Sequence, residues 1–205
     1  MQSTQFDRVV RRLATILAVA MLSLCLIYIT TGILLSFYYE PTAGGAYQSL
    51  KTINTQVPYG WLFRRAHDLA GNAVIVVALV QIVVMFLGRQ FSLSWLTAWI
   101  SGIFLTLSVI GLDWTAMLLD WTQEGYWRFS IELGTIEAIP LIGGQLRDIL
   151  TGGGAISTVT VAHLYTINSD ILAVAAMILA VVHLSALIWQ EQQMFHFLGA
   201  SPVKS

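Results

Sequence analysis

Four apolar runs, each long enough to cross the hydrocarbon of a bilayer, constrain this chain more than any other feature. They fall at about residues 13–38, 67–87, 93–119 and 167–189. A spanning helix needs ~20 mostly apolar residues for ~30 Å of hydrocarbon, and each run reaches that length. With no water there to bond the backbone, each run has to close its own hydrogen bonds as a helix. Charged residues make up only 10% of the chain, against about 25% in a soluble domain. The expected fold is an all-α membrane protein. Four transmembrane helices form an antiparallel up-down bundle, read as a single domain over residues 1–205.

The connections carry their own signals. Pro41, Gly44 and Gly45 break the first run, and a polar connection follows to about Trp61. The second run stops at Gly88-Arg89. Between the third and fourth runs, residues 137–144 and 146–150 read as short amphipathic helices lying in the interface, with Gly152-Gly153-Gly154 as a joint after them. Trp114, Trp121, Tyr126 and Trp127 make an aromatic belt on that side. The first run is too long for the apolar part of a cleavable signal peptide. Cys25 has no second cysteine to pair with and reads as a packing residue.

Basic residues set the expected orientation. Arg8, Arg11, Arg12, Arg89 and Lys204 all fall on one side of a four-span chain, so both termini are placed on the cytoplasmic or stromal side. Arg64 and Arg65 fall on the opposite side, an exception that calls for a fixed anionic partner. A formal net charge of -1 without a basic stripe excludes a nucleic-acid partner.

Polar side chains inside spans are functional candidates by default. Gln81 follows His67 by fourteen residues, and His183 follows Asn168 by fifteen. Fourteen residues at 100° each return to nearly the same helix face about 21 Å further on. The two runs therefore present polar groups at two depths.

Several blocks resemble the N-terminal, four-helix half of the cytochrome b/b6 family. They are 31–42 (TGILLSFYYEPT), 46–50 (AYQSL), Tyr59-Gly60-Trp61-Leu62 with Arg64 and His67, Trp121 with 123–127 (QEGYW), and 137–143 (EAIPLIG). The resemblance implies two haems stacked across the membrane, each clamped by one histidine from the second helix and one from the fourth. It places His67 and Asn168 at the first level, and Gln81 and His183 at the second, so each level keeps one histidine. Arg64 and Arg65 match positions where the family holds haem propionates, and Gly32 matches a small residue against a haem edge. Fourteen residues before Gly32 stands Ala18. Asp113 and Trp114 are read as filling space once given to porphyrin.

Two readings follow from different classes. In one, the chain is an integral membrane subunit of a quinone-linked, photosynthetic or respiratory electron-transfer complex. It holds one or two haem b groups through one histidine per site, His67 and His183, with quinone or lipid in the emptied space. In the other, it is a haem-free structural or docking subunit. Gln81 then bonds His183 across the helix pair, and His67 bonds a carbonyl or Asn168. Either way the partners are membrane lipid and other subunits of a larger complex, or a second copy of the chain. The membrane is a bacterial inner membrane or a thylakoid, and an independent enzyme is not expected.

Overall fold

The computed structural model describes residues 5–88 and 95–199. They form α1 (Gln5–Ser36), α2 (Ala46–Thr55), α3 (Gly60–Leu87), α4 (Leu96–Leu119), α5 (Gln123–Glu137), α6 (Gly143–Thr151), α7 (Thr158–Thr166), a π-helical turn (Ile167–Leu172) and α8 (Ala173–Gly199). No strand occurs among the described residues. Four segments are long and apolar enough to cross a membrane: α1, α3, α4, and α7 through α8 as one run, Thr158–Gln192. The helical membrane fold expected from the sequence is therefore present. Arg89, the expected start of the third span at 93, and Lys204 lie outside the described residues.

The spans pack as a ring, α1 against α3 and α8, and α4 against α3 and α8. Each turns a stripe of small residues inward at helical spacing. Ala14, Ala18, Met21, Cys25 and Tyr28 do so on α1, and Ala70, Val74, Ala78 and Gln81 on α3. Ala98, Gly102, Leu105 and Val109 follow on α4, and Ala176, Ala180, His183 and Leu187 on the last span. Small side chains let helices approach closely where lipid supplies no hydrophobic drive to associate. The opposite faces, Val76, Val83 and Phe86 on α3 for example, are exposed and apolar, as lipid contact requires.

Helix ends differ from the sequence expectation in a consistent direction. The second span begins at Gly60 rather than 67, and the fourth at Thr158 rather than 167. The early part of α3 carries Arg64 and Arg65, and α7 carries Thr158, Thr160 and His163, so hydropathy does not mark these starts. At α7 the start is set by a capping box, Ser157 with Thr160. The first span runs Gln5–Ser36 instead of 13–38. The polar connection before Gly60 contains α2, which buries Ala46, Leu50 and Ile53. Residues 138–142 are a turn between α5 and α6, not a helix, and Leu141 there has φ 73° and is 97% exposed. The helix expected at 146–150 is real as α6.

The end carrying α2, α5 and α6 is called here the loop side, and the opposite end the terminal side. On the loop side Trp114 packs on Phe129 and donates its indole N–H to Glu132, which ties α4 to α5. It therefore leaves the interior space that the sequence reading assigned to it. Tyr39 closes the first connection: its hydroxyl donates to the Leu119 carbonyl at 2.7 Å and its ring stacks on Tyr165. Burial above all, with the Asp120 carboxylate and Tyr165 beside it, holds the Tyr39 phenol above its ordinary pKa. The folded state thus favours the neutral phenol. That stabilisation is complete below about pH 10 and is lost as pH rises toward the folded value. Tyr39→Phe is expected to cost about 1 kcal/mol at neutral pH and to flatten the fall in thermal midpoint above about pH 10, read by circular dichroism in detergent.

Candidate functional site

His67 and His183 are held in the same way on different helix pairs. His67 Nδ1 lies 2.9 Å from the Tyr28 carbonyl and 3.1 Å from Thr31 Oγ1, both on α1. His183 Nδ1 lies 2.9 Å from the Ala98 carbonyl and 3.2 Å from Ser101 Oγ, both on α4. A carbonyl only accepts, so Nδ1 carries the proton in both rings and Nε2 carries the lone pair. Each ring also presses on a glycine. A Cβ built on Gly32 would stand 3.1 Å from His67 Cε1, and one on Gly102 would stand 2.9 Å from His183 Cε1.

The result is a repeated cradle: a carbonyl at position i, a hydroxyl at i+3 and a glycine at i+4. Tyr28, Thr31 and Gly32 form one, and Ala98, Ser101 and Gly102 the other. Fourteen residues along the same helices lie two related positions. On α4 they are Leu112, Thr115 and Ala116, and Asn168 occupies them. Its Nδ2 donates to the Leu112 carbonyl at 2.8 Å and to Thr115 Oγ1 at 2.8 Å. On α1 they are Ala14, Leu17 and Ala18, facing the depth of Gln81. Each cradle holding an imidazole has glycine at its last position, and each one opposite an amide has alanine. The ring needs the space that a Cβ would take. The family resemblance points to Gly32 and Ala18 but not to Gly102, whose role shows only once His183 is placed against it.

The π-helical turn explains the fifteen-residue step between Asn168 and His183. Its wider i→i+5 bonding absorbs one extra residue, so both side chains still face α4. His163 turns away and meets the Ile149 carbonyl at 2.9 Å, joining α7 to α6. The side chain of His196 lies outside the described residues.

The two levels differ sharply. At the terminal-side level Gln81 and His183 meet directly, Nε2 to Nε2 at 3.0 Å. Both are sealed, 1% and 0% exposed. Gln81 donates there, since His183 Nε2 has only a lone pair to offer. Its Oε1 is buried with no hydrogen-bond partner among the described residues.

At the loop-side level His67 lines two cavities of about 440 and 280 Å³. Tyr28 stacks on its ring at 4.0 Å. Asn168 borders the smaller cavity with its amide turned to α4. Arg65, Asp68 and Asp113 line the larger one. Asp113 thus borders the cavity rather than filling it. Arg64 has the fixed anionic partner that its position called for, both carboxylate oxygens of Asp120 at 3.2 Å. Arg65 has no ion pair among the described residues. No group of three or more His, Cys, Asp or Glu is placed to hold a bare metal ion among the described residues.

Comparison with known proteins follows the same lines. The family model described as cytochrome b/b6/petB matches residues 5–191. A cytochrome b6 from Cyanidium caldarium is 31% identical over 158 residues, covering 77% of this chain and 74% of its own. One from Mastigocladus laminosus is 32% identical over 147 residues, covering 72% and 68%. A chain of a hyperthermophilic respiratory Complex III superposes with a TM-score of 0.74 at 23% identity, covering 86% of this chain and 47% of that one. This chain spans about half the length of that solved one, and the likeness is one of fold.

The cradle rule is testable on the protein alone. Gly102→Ala is expected to cost about 1–3 kcal/mol, because the added Cβ displaces a fully packed ring. Ala116→Gly is expected to cost no more than about 1 kcal/mol, the helix propensity difference. Denaturant unfolding in detergent reads both.

Proposed function

This chain belongs to the cytochrome b/b6 family, and from that premise we propose that it is an electron-transfer subunit of a membrane redox complex, holding one b-type haem at its loop-side level through His67. The observation that carries this reading is the state of His67. Its Nδ1–H is tied to the Tyr28 carbonyl, which leaves Nε2 as a lone-pair donor beside two cavities. Metal-bound histidines characteristically donate their other N–H to such a carbonyl, which fixes the tautomer and the ring orientation.

The residues around it fit a macrocycle held from one side. Gly32 leaves room for the ring that would bind iron. Arg65 lines the larger cavity, and its planar guanidinium suits a propionate. Arg64 borders the smaller one, steadied by Asp120. Asn168 spends its amide N–H on α4, and a neutral amide is a poor iron ligand in any case. A haem held there by His67 would supply one-electron chemistry.

A second reading, the haem-free docking subunit, is favoured by a different observation, the direct Gln81–His183 bond. In that case the loop-side cavities would take quinone or lipid, since Ile29, Val74 and Val109 give apolar walls below the charged mouth. For either reading the proposed partners are other redox subunits or a second copy of this chain. The proposed placement is a bacterial inner membrane or a thylakoid, with both termini on the cytoplasmic or stromal side.

Purified protein is expected to carry one haem per chain by pyridine haemochrome, with a high-spin spectrum. His67→Ala is expected to lower haem content at least tenfold while elution from a sizing column is unchanged. Wild-type protein with no Soret band would leave the docking reading standing instead.

A further inference from the structure

We propose that the terminal-side level is a closed polar clasp that excludes haem, and that Ala18 and Gln81 together keep it closed. This goes beyond the His67 reading and stands on separate geometry. Two axial nitrogens on one metal, each at about 2.0 Å, are held about 4 Å apart with the macrocycle between them. Here Gln81 and His183 are in contact at 3.0 Å. Both ring nitrogens of His183 are engaged, Nδ1 by the Ala98 carbonyl and Nε2 by the Gln81 amide. Its lone pair is therefore already taken, by a donor that cannot be removed without leaving a second buried amide group unpaired.

The opposite wall argues the same way. An imidazole at position 81 would need a carbonyl, a hydroxyl and a glycine on α1, fourteen residues before the set that holds His67. That set is Ala14, Leu17 and Ala18, which offers neither the hydroxyl nor the room. The clasp therefore rests on two coordinated departures from the His67 arrangement, one on each of α1 and α3. Paired with the His67 reading, it means that this chain offers no second haem for an electron crossing to the terminal side. Electrons would enter and leave on the loop side.

Three proteins test it: wild type, His183→Gln, and the double variant Gln81→His with Ala18→Gly. Haem per chain is measured by pyridine haemochrome, and ligation by electron paramagnetic resonance. His183→Gln is expected to leave haem per chain and spectrum as in the wild type. The double variant is expected to gain about one haem per chain, with the low-spin signal of two imidazoles. A fall in haem on His183→Gln would overturn the clasp, as would a double variant that elutes like the wild type yet gains none. If the double variant does not fold, His183→Gln decides. If the wild type carries no haem, the His67 reading fails, while the gain in the double variant still tests the clasp.

Discussion

A buried imidazole in a membrane span has to satisfy two conditions at once. Its N–H must find an acceptor, because an unpaired polar group in hydrocarbon is heavily penalised. Its flat ring must also find room between helices whose axes lie close together. Both histidines meet the two conditions on a single turn of a neighbouring helix, through a carbonyl at i and a glycine at i+4. The contact of α1 with α3, and of α4 with the last span, is thus bound up with the placement of these rings. The hydrogen bond fixes the tautomer as well, so the packing contact decides the chemical state of the nitrogen that points away from it.

The same constraint accounts for the amides. Asn168 borrows the carbonyl and hydroxyl of a cradle without needing its glycine, because it carries no ring carbon to press on position 116. Gln81 lies at the depth where α1 carries Leu17 in place of the cradle's hydroxyl, and it reaches across to His183 instead. Single interhelical bonds of this kind average only ~0.6 kcal/mol in membranes. Their effect here is more one of placement than of strength. A side chain tied to a helix carbonyl is no longer free to swing, and the space at its level is set by that tie.

Much of this was legible in the sequence, and what was missed has physical causes. Apolar length located all four spans, but hydropathy does not mark the starts of α3 and α7, where Arg64 and Arg65, and Thr158, Thr160 and His163, interrupt the apolar pattern. Amphipathic α2 and the body of α5 were overlooked for a related reason: short interfacial helices carry no long apolar run. The four polar seats came from the family resemblance, which sets His67 with Asn168 and Gln81 with His183, and the expected Gln81–His183 bond is present. The cradle was not found. Its carbonyl is invisible in sequence, and its i+3, i+4 dipeptide, Thr31-Gly32 or Ser101-Gly102, takes on meaning only once a histidine is placed opposite it. Trp114 misled because its indole has a partner, Glu132, on a helix not anticipated in that position.

Charge placement follows the division between the levels. The loop-side cavity is bordered by Arg65, Asp68, Asp113, Asp120 and Arg128, groups that hydrocarbon would not tolerate unpaired but that a cavity near the interface can hydrate. Among the described residues, the hydrogen-bond partners at the terminal-side level are an amide, an imidazole, a hydroxyl and a carbonyl, none of them charged. A cofactor bearing carboxylates could find counter-charges at the first level, but would have to part the buried Gln81–His183 bond at the second. The carboxylates of Asp68 and Asp113 temper this, since they repel an anionic group that Arg65 attracts. Whatever enters that cavity therefore has to match a wall of mixed sign: an anionic group set toward Arg65, and a neutral or apolar body over the deeper surface of Val74 and Val109.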